Sequence, residues 1–136
     1  MPGLTDLPTL LTSMQPTLRE GAFVFLSMPG AAYGEAEALA PVASFAEDEG
    51  LTLVVPKDQA DTHGHTYDGV FRAITLHVHS SLAAVGLTAA VAHELAEHGI
   101  SANVIAAYHH DHVFVPAARA EEALHLLKAL ASRGRS

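Results

Sequence analysis

Residues 99–116 read Gly-Ile-Ser-Ala-Asn-Val-Ile-Ala-Ala-Tyr-His-His-Asp-His-Val-Phe-Val-Pro. Two apolar segments, 101–107 and 113–115, flank the polar cluster Tyr108-His109-His110-Asp111-His112, a pattern that predicts a β-hairpin with a charged tip. Three imidazoles and a carboxylate at one tip suit a metal site, a ligand-binding edge or a polar surface turn. Just upstream, Leu87, Val91 and Leu95 recur four apart, predicting a helix over 87–98 whose His93, Glu94, Glu97 and His98 face water. Gly99 falls where a left-handed C-terminal residue belongs. Further upstream, 70–79 alternates as a strand. Val70, Arg72, Ile74, Leu76 and Val78 lie on one face, and Phe71, Ala73, Thr75, His77 and His79 on the other. Downstream, Ala120, Ala123, Leu124, Leu127 and Leu130 mark a last helix over 119–131. Its Glu121 and Glu122 lie near the positive end of the dipole, and Lys128 and Arg133 near the negative end.

Residues 70–131 thus spell β-α-β-β-α, a ferredoxin-like βαββαβ unit lacking its last strand. An unpaired sheet edge is a liability, so the first half is expected to complete the sheet, with 22–27 as the candidate strand. The first half repeats the hairpin-then-helix order in diverged form. A helix is predicted over 6–14 with Asp6 as N-cap and Pro16 as its stop. The segment 30–39 is weakly patterned, and its Glu-Ala-Glu-Ala-Leu-Ala run is a helix candidate ending at Pro41. Two strands, 42–46 and 51–55, join through Glu47-Asp48-Glu49-Gly50, and a short helix follows over 57–63. The polar joint 64–69 is the expected boundary, giving modules 1–64 and 65–136 in an α+β fold.

Composition narrows the function. Hydrophobic residues form 49% of the 136, enough for a core in one small domain or two mutually dependent halves. Fifteen acidic residues against seven basic ones give a formal charge of −8, which disfavours nucleic acid and anionic membranes as partners. The absence of cysteine removes thiolate nucleophiles, disulfides and Cys-based zinc sites. With no signal-like start and no long apolar run, a cytoplasmic protein is expected.

The run His79-Ser80-Ser81-Leu82-Ala83-Ala84-Val85-Gly86-Leu87-Thr88, with Gly99-Ile100-Ser101-Ala102-Asn103 and His110-Asp111-His112-Val113-Phe114-Val115-Pro116, resembles a bacterial family of small tandem ACT-domain proteins. Leu10-Leu11 to Pro16, Val24-Phe25 and Glu49-Gly50-Leu51-Thr52-Leu53 also fit, so the likeness spans nearly the whole chain. The layout is similar to that of the cytosolic arginine sensor. The resemblance implies ferredoxin-like tandem modules that bind an amino acid at an interface between modules or subunits and act as a regulatory sensor; exposed sheet edges and apolar helix faces in so small a unit predict a homodimer. The resemblance implies no cofactor.

Under that resemblance the ligand-binding candidates are Ser80, Ser81, Leu82, Val85, Gly86, Leu87 and Thr88 at the first helix, Asn103 in the next strand, and Asp111 in the hairpin. Backbone N–H groups at a helix start can hold a carboxylate, and a carboxylate at a hairpin can pair with an α-ammonium group. Each has a plainer role: a strand-to-helix cap, a strand-fixing amide, a turn aspartate. The competing function is a divalent-metal module built on the His-x-His pairs 77/79 and 110/112, whose members lie roughly 6–7 Å apart along an extended strand. Catalysis is not expected. His93-Glu94 and Glu97-His98 miss the His-Glu-x-x-His spacing, and Ser81, His79 and Asp111 lack a nucleophile elbow. There is also no Gly-rich phosphate loop.

Overall fold

A computed structural model describes residues 6–78 and 86–133. The elements are α1 (Leu7–Thr12), β1 (Pro16–Leu18), β2 (Phe23–Met28), a 3₁₀ turn at Glu37–Leu39, β3 (Ala43–Glu47), β4 (Gly50–Pro56) and α2 (Lys57–Thr62). They continue with β5 (Phe71–Leu76), α3 (Leu87–Glu97), β6 (Asn103–Ala106), β7 (Asp111–Pro116), a 3₁₀ turn at Ala117–Arg119 and α4 (Ala120–Arg133). The fold is the expected ferredoxin-like α+β arrangement. The helix candidate in 30–39 shrinks to the Glu37–Leu39 turn, and the strand at Pro16–Leu18 was not anticipated. Pro16 is tolerated as the first residue of that strand, where its missing N–H breaks no central ladder.

The chain groups into two compact units: Met1–Glu20 with Arg72–Ser136, and Gly21–Phe71. The N-terminal segment thus packs with the second half.

In the larger unit, β5 lies between β1 and β7, and β6 pairs with β7 on the outside. β1 runs antiparallel to β5 with Pro16 opposite Leu76 and Leu18 opposite Ile74. The missing strand is therefore supplied from the N-terminal side, chiefly by 16–18, while the expected segment 22–27 also reaches β5. β2 meets β5 only at the pair Phe23–Phe71. The reason lies just upstream of β1. Asp6 caps α1 by accepting a bond from the Thr9 amide, and Leu10 and Met14 are wholly buried beside Leu127 of α4 and Leu95 of α3. Burying two such side chains is worth roughly 1.5–3 kcal/mol each. That anchor delivers Pro16 to β5, where the His77 amide donates to the Met14 carbonyl at 2.8 Å. The core of this unit sits on one face of its sheet. Ile74, Leu76, Val78, Val113 and Val115 pack against Leu87, Val91 and Leu95 of α3 and Ala120, Ala123 and Leu127 of α4.

In the smaller unit the order is β3, β4, β2. Val24, Leu26, Leu51, Leu53 and Val55 form a second core with Leu39 of the 3₁₀ turn and Ala60 of α2. The hairpin turn depends on Gly50. Its φ is +143°, and a Cβ there would lie 2.8 Å from the Met28 carbonyl oxygen and the Pro29 Cα. Among the described residues, no helix is long and apolar enough to cross a membrane.

Candidate ligand site

The β6–β7 hairpin places Ala106 opposite Asp111 and Asn103 opposite Phe114. Side chains alternate along β7. Asp111 therefore shares the face of Val113 and Val115, which α3 and α4 cover, while His110 and His112 take the other face with Phe114. β7 begins beside the end of β5. Thr75 Oγ1 and His112 Nδ1 are hydrogen-bonded at 3.0 Å, and the His77 and His110 rings stand 5.2 Å apart at 61°. From this end of the sheet the chain leaves β5 for α3, so the start of α3 and Asp111 belong to the same end.

The electrostatics follow from partial burial. Desolvation raises the Asp111 carboxyl above its ordinary range, and the neighbouring His112 and His110 oppose that shift. Burial also holds the His112 imidazole below its ordinary range. Arg19, His110 and His77 act in the same direction, and Asp111 acts against it. Both shifts have the partial burial of these two side chains as the leading cause. His110 Nδ1 is buried with no hydrogen-bond partner among the described residues, an unusual state for an imidazole nitrogen.

The other candidates separate into three groups. Ser80, Ser81, Leu82 and Val85, together with His79, lie outside the described residues. Gly86 caps α3 in a left-handed conformation with φ +104°. No side chain caps that helix, and a Cβ on Gly86 would lie 3.3 Å from Leu7 Cδ2. Leu87 is a core residue, 3% exposed, whereas Thr88 faces outward. Asn103 donates its amide to the Phe114 carbonyl at 3.3 Å. It stands at the far end of the hairpin, three positions along β7 from Asp111, or about 10 Å at the usual strand rise. Of the described candidates, Gly86 and Thr88 lie at the start of α3, where Gly86 neighbours Leu7, Asp111 opens β7, and Asn103 stands at the other end of the hairpin. Thr75 was not singled out from sequence. The signal for it was the cross-strand match of Thr75-x-His77 with His110-x-His112, which becomes visible only once the strands are paired. Among the described residues, no group of three or more His, Asp or Glu is arranged to hold a metal ion.

Comparisons with known proteins agree with this architecture. Two family models, each describing an ACT domain, match residues 2–72 and 68–129. A Vibrio cholerae protein of unknown function, a possible transport protein, has a crystal structure similar to this chain at 50% identity and a TM-score of 0.84, over 92% of this chain and 95% of that one. An Agrobacterium tumefaciens protein matches at 17% identity and a TM-score of 0.66, over 85% and 87% of the two chains. The ligand-free regulatory subunit of aspartate kinase from Thermus thermophilus matches at 13% identity and a TM-score of 0.61, over 87% and 98%. A search of curated proteins finds no match. With ACT-domain models covering both halves and a half-identical structure spanning nearly its whole length, the chain belongs to the ACT-domain family, as two tandem modules.

Proposed function

We propose that the chain is a regulatory protein that binds a small molecule of the amino-acid class at the Asp111 end of its second module. The observation that carries this reading is the position of Asp111. It is a half-buried carboxylate on the helix-covered face of the sheet, at the end where α3 begins behind an uncapped glycine. Its carboxylate would accept from an α-ammonium group, and the first N–H groups of α3 would donate to the ligand carboxylate. A cationic ligand group would also offset the cost of desolvating Asp111. Binding rather than catalysis is proposed, in the cytoplasm, with Ser80, Ser81, Leu82 and Val85 as further candidate contacts. The interface placement rests on the family affiliation, the homodimer on exposed sheet edges and apolar helix faces, and the tandem boundary near residues 64 and 65 on the polar joint 64–69. Regulation would work by differential affinity: a ligand favours one arrangement of the assembly over another, and a partner reads the difference.

A thermal-shift panel of the amino acids, run with and without divalent metals and chelator, tests this. The expected result is a saturable upward shift with one amino acid that disappears in Asp111→Ala. No shift with any amino acid, or a shift that survives Asp111→Ala, overturns the reading. A shift with zinc alone, reversed by chelator and lost in His77→Ala or His112→Ala, replaces it with the metal function.

A further inference from the structure

The smaller unit carries a groove of about 390 Å³ lined by Tyr33, Glu37, Ala40, Ser44, Leu51 and Leu53, among others. Its origin is architectural. Both modules run strand, connection, hairpin and helix. In the second module the connection is the eleven-residue α3, which covers Val113. In the first it is a loop with a three-residue 3₁₀ turn. Leu39 from that turn fills part of the space over Leu51 and Leu53. The remainder stays open, beside the sheet face that a helix occupies in the other module. The volume falls within the range of small-molecule pockets, roughly 300–1,000 Å³.

The lining decides the chemistry. Leu51, Leu53, Ala36, Ala40 and Pro41 offer an apolar floor and wall. Tyr33, 85% exposed, stands at the margin. Glu37 is the one acidic side chain of the lining, and no basic side chain lines the groove. A carboxylate-bearing ligand would find no side-chain counter-charge, whereas a protonated amine would. We propose that this groove is a second binding site, for a small molecule with an apolar body and a single protonated amine. The apolar body lies on Leu51 and Leu53, and the ammonium group pairs with the Glu37 carboxylate. The site belongs to the Gly21–Phe71 unit and does not depend on the reading of Asp111.

The probe is 2-phenylethylamine, titrated into the full chain and followed by backbone amide shifts, with L-phenylalanine as the zwitterionic comparison. Saturable millimolar binding is expected, with shifts centred on Ala36, Glu37, Ser44 and Leu53, and with phenylalanine binding more weakly at those positions. Glu37→Gln, an exposed isosteric change, is expected to weaken amine binding about fivefold, the size of a partly exposed ion pair. Ser44→Phe, on an exposed edge strand that accepts aromatic residues, is expected to fill the groove and abolish the shifts. Asp111→Ala is expected to leave them unchanged, so failure of the Asp111 reading and failure of this one give different results. The proposal is overturned if no groove residue shifts, if phenylalanine binds there as tightly as the amine, or if both variants bind the amine like the parent.

Discussion

The two hairpins are built on one template and differ at two adjacent positions. β3–β4 pairs Ala43 with Val54, and β6–β7 pairs Asn103 with Phe114, so each partner recurs 60 residues later (43 to 103, 54 to 114). The strands read Leu51-Thr52-Leu53-Val54-Val55-Pro56 and Asp111-His112-Val113-Phe114-Val115-Pro116. Three consecutive buried residues precede a proline in both, and each proline leads directly into a helix or helical turn. Ala60 and Ala120, again 60 apart, are both buried in the helix that follows. The difference lies in the first two residues. Leu51 is 3% exposed and part of a core, whereas Asp111 is half-buried with a raised pKa. Thr52 donates its hydroxyl to Glu47 on the neighbouring strand, whereas His112 is held below its ordinary pKa. A scaffold position that the first module uses for packing carries a costly ionisable pair in the second. The proposed ligand role of Asp111 would account for that cost at a position the fold can fill with leucine.

The comparison can be challenged by substitution. The largest effect tests the unequal helices. Leu95→Ala in α3 should cost about 3–5 kcal/mol by urea denaturation, because a close-packed helix relaxes little around a cavity. Leu39→Ala in the 3₁₀ turn should cost about 2–3 kcal/mol, since a loop beside an open groove can collapse. Equal losses would mean that the first module is covered as tightly as the second. Next comes the glycine that makes the first hairpin. Gly50→Ala combines a φ of +143° with backbone contacts at 2.8 Å and should cost about 2 kcal/mol or more, whereas Gly99→Asn, in open space at φ +70°, should cost about 1 kcal/mol or less.

Third is the exchange of the decisive residue itself. Asp111→Leu should stabilise the ligand-free protein at neutral pH by under ~1 kcal/mol, after allowance for solvent screening, while removing the amino-acid response. The sign follows from linkage. The folded state holds the Asp111 proton more tightly than the unfolded chain, so stability falls as pH rises from the ordinary carboxylate pKa of 3.8 through the raised folded value. The gain from Asp111→Leu should therefore be larger at neutral pH than below pH 3.8. A destabilised Asp111→Leu at neutral pH would show that the carboxylate serves the fold. The smallest effect belongs to His112. Its folded pKa lies below the ordinary 6.5, so the unfolded chain takes up a proton first, and stability falls as pH drops below 6.5 toward the folded value. His112→Thr, the counterpart residue, should flatten that slope by a few tenths of a kcal/mol, read by denaturant midpoints from pH 7 to 5.

Most of the second module was legible because its signals are local. The leucine spacing of α3, the cap at Gly99 and the alternation of β5 each sit within one stretch of sequence. The hairpin of the first module was legible through Pro41 and Gly50. The helix candidate in 30–39 failed because it has no apolar stripe to bury: only Leu39 is buried there. The strand at Pro16–Leu18 was hidden because a three-residue strand has no periodicity. It forms only because Leu10 and Met14 are anchored by α3 and α4, far along the chain. At the site, Asp111 could be named from its motif. The grouping of Thr75 with His77, His110 and His112 needed the pairing of β5 with β7, and no single segment encodes it.

The pairing of Pro16 with Leu76 also sets an order of events during synthesis. When residues 7–18 leave the ribosome, their strand partner lies 60 residues away (16 to 76), and the α4 side chains that bury Leu10 and Met14 come later still. The Gly21–Phe71 unit contains its own hairpin, core and helix, all translated before β5 is complete. Residues 7–18 thus wait for partners made much later. In the interval, Leu7, Leu10, Leu11 and Met14 form an exposed amphipathic turn of the kind that chaperones hold. Slow closure of this long loop, rather than formation of either hairpin, should set the pace of folding.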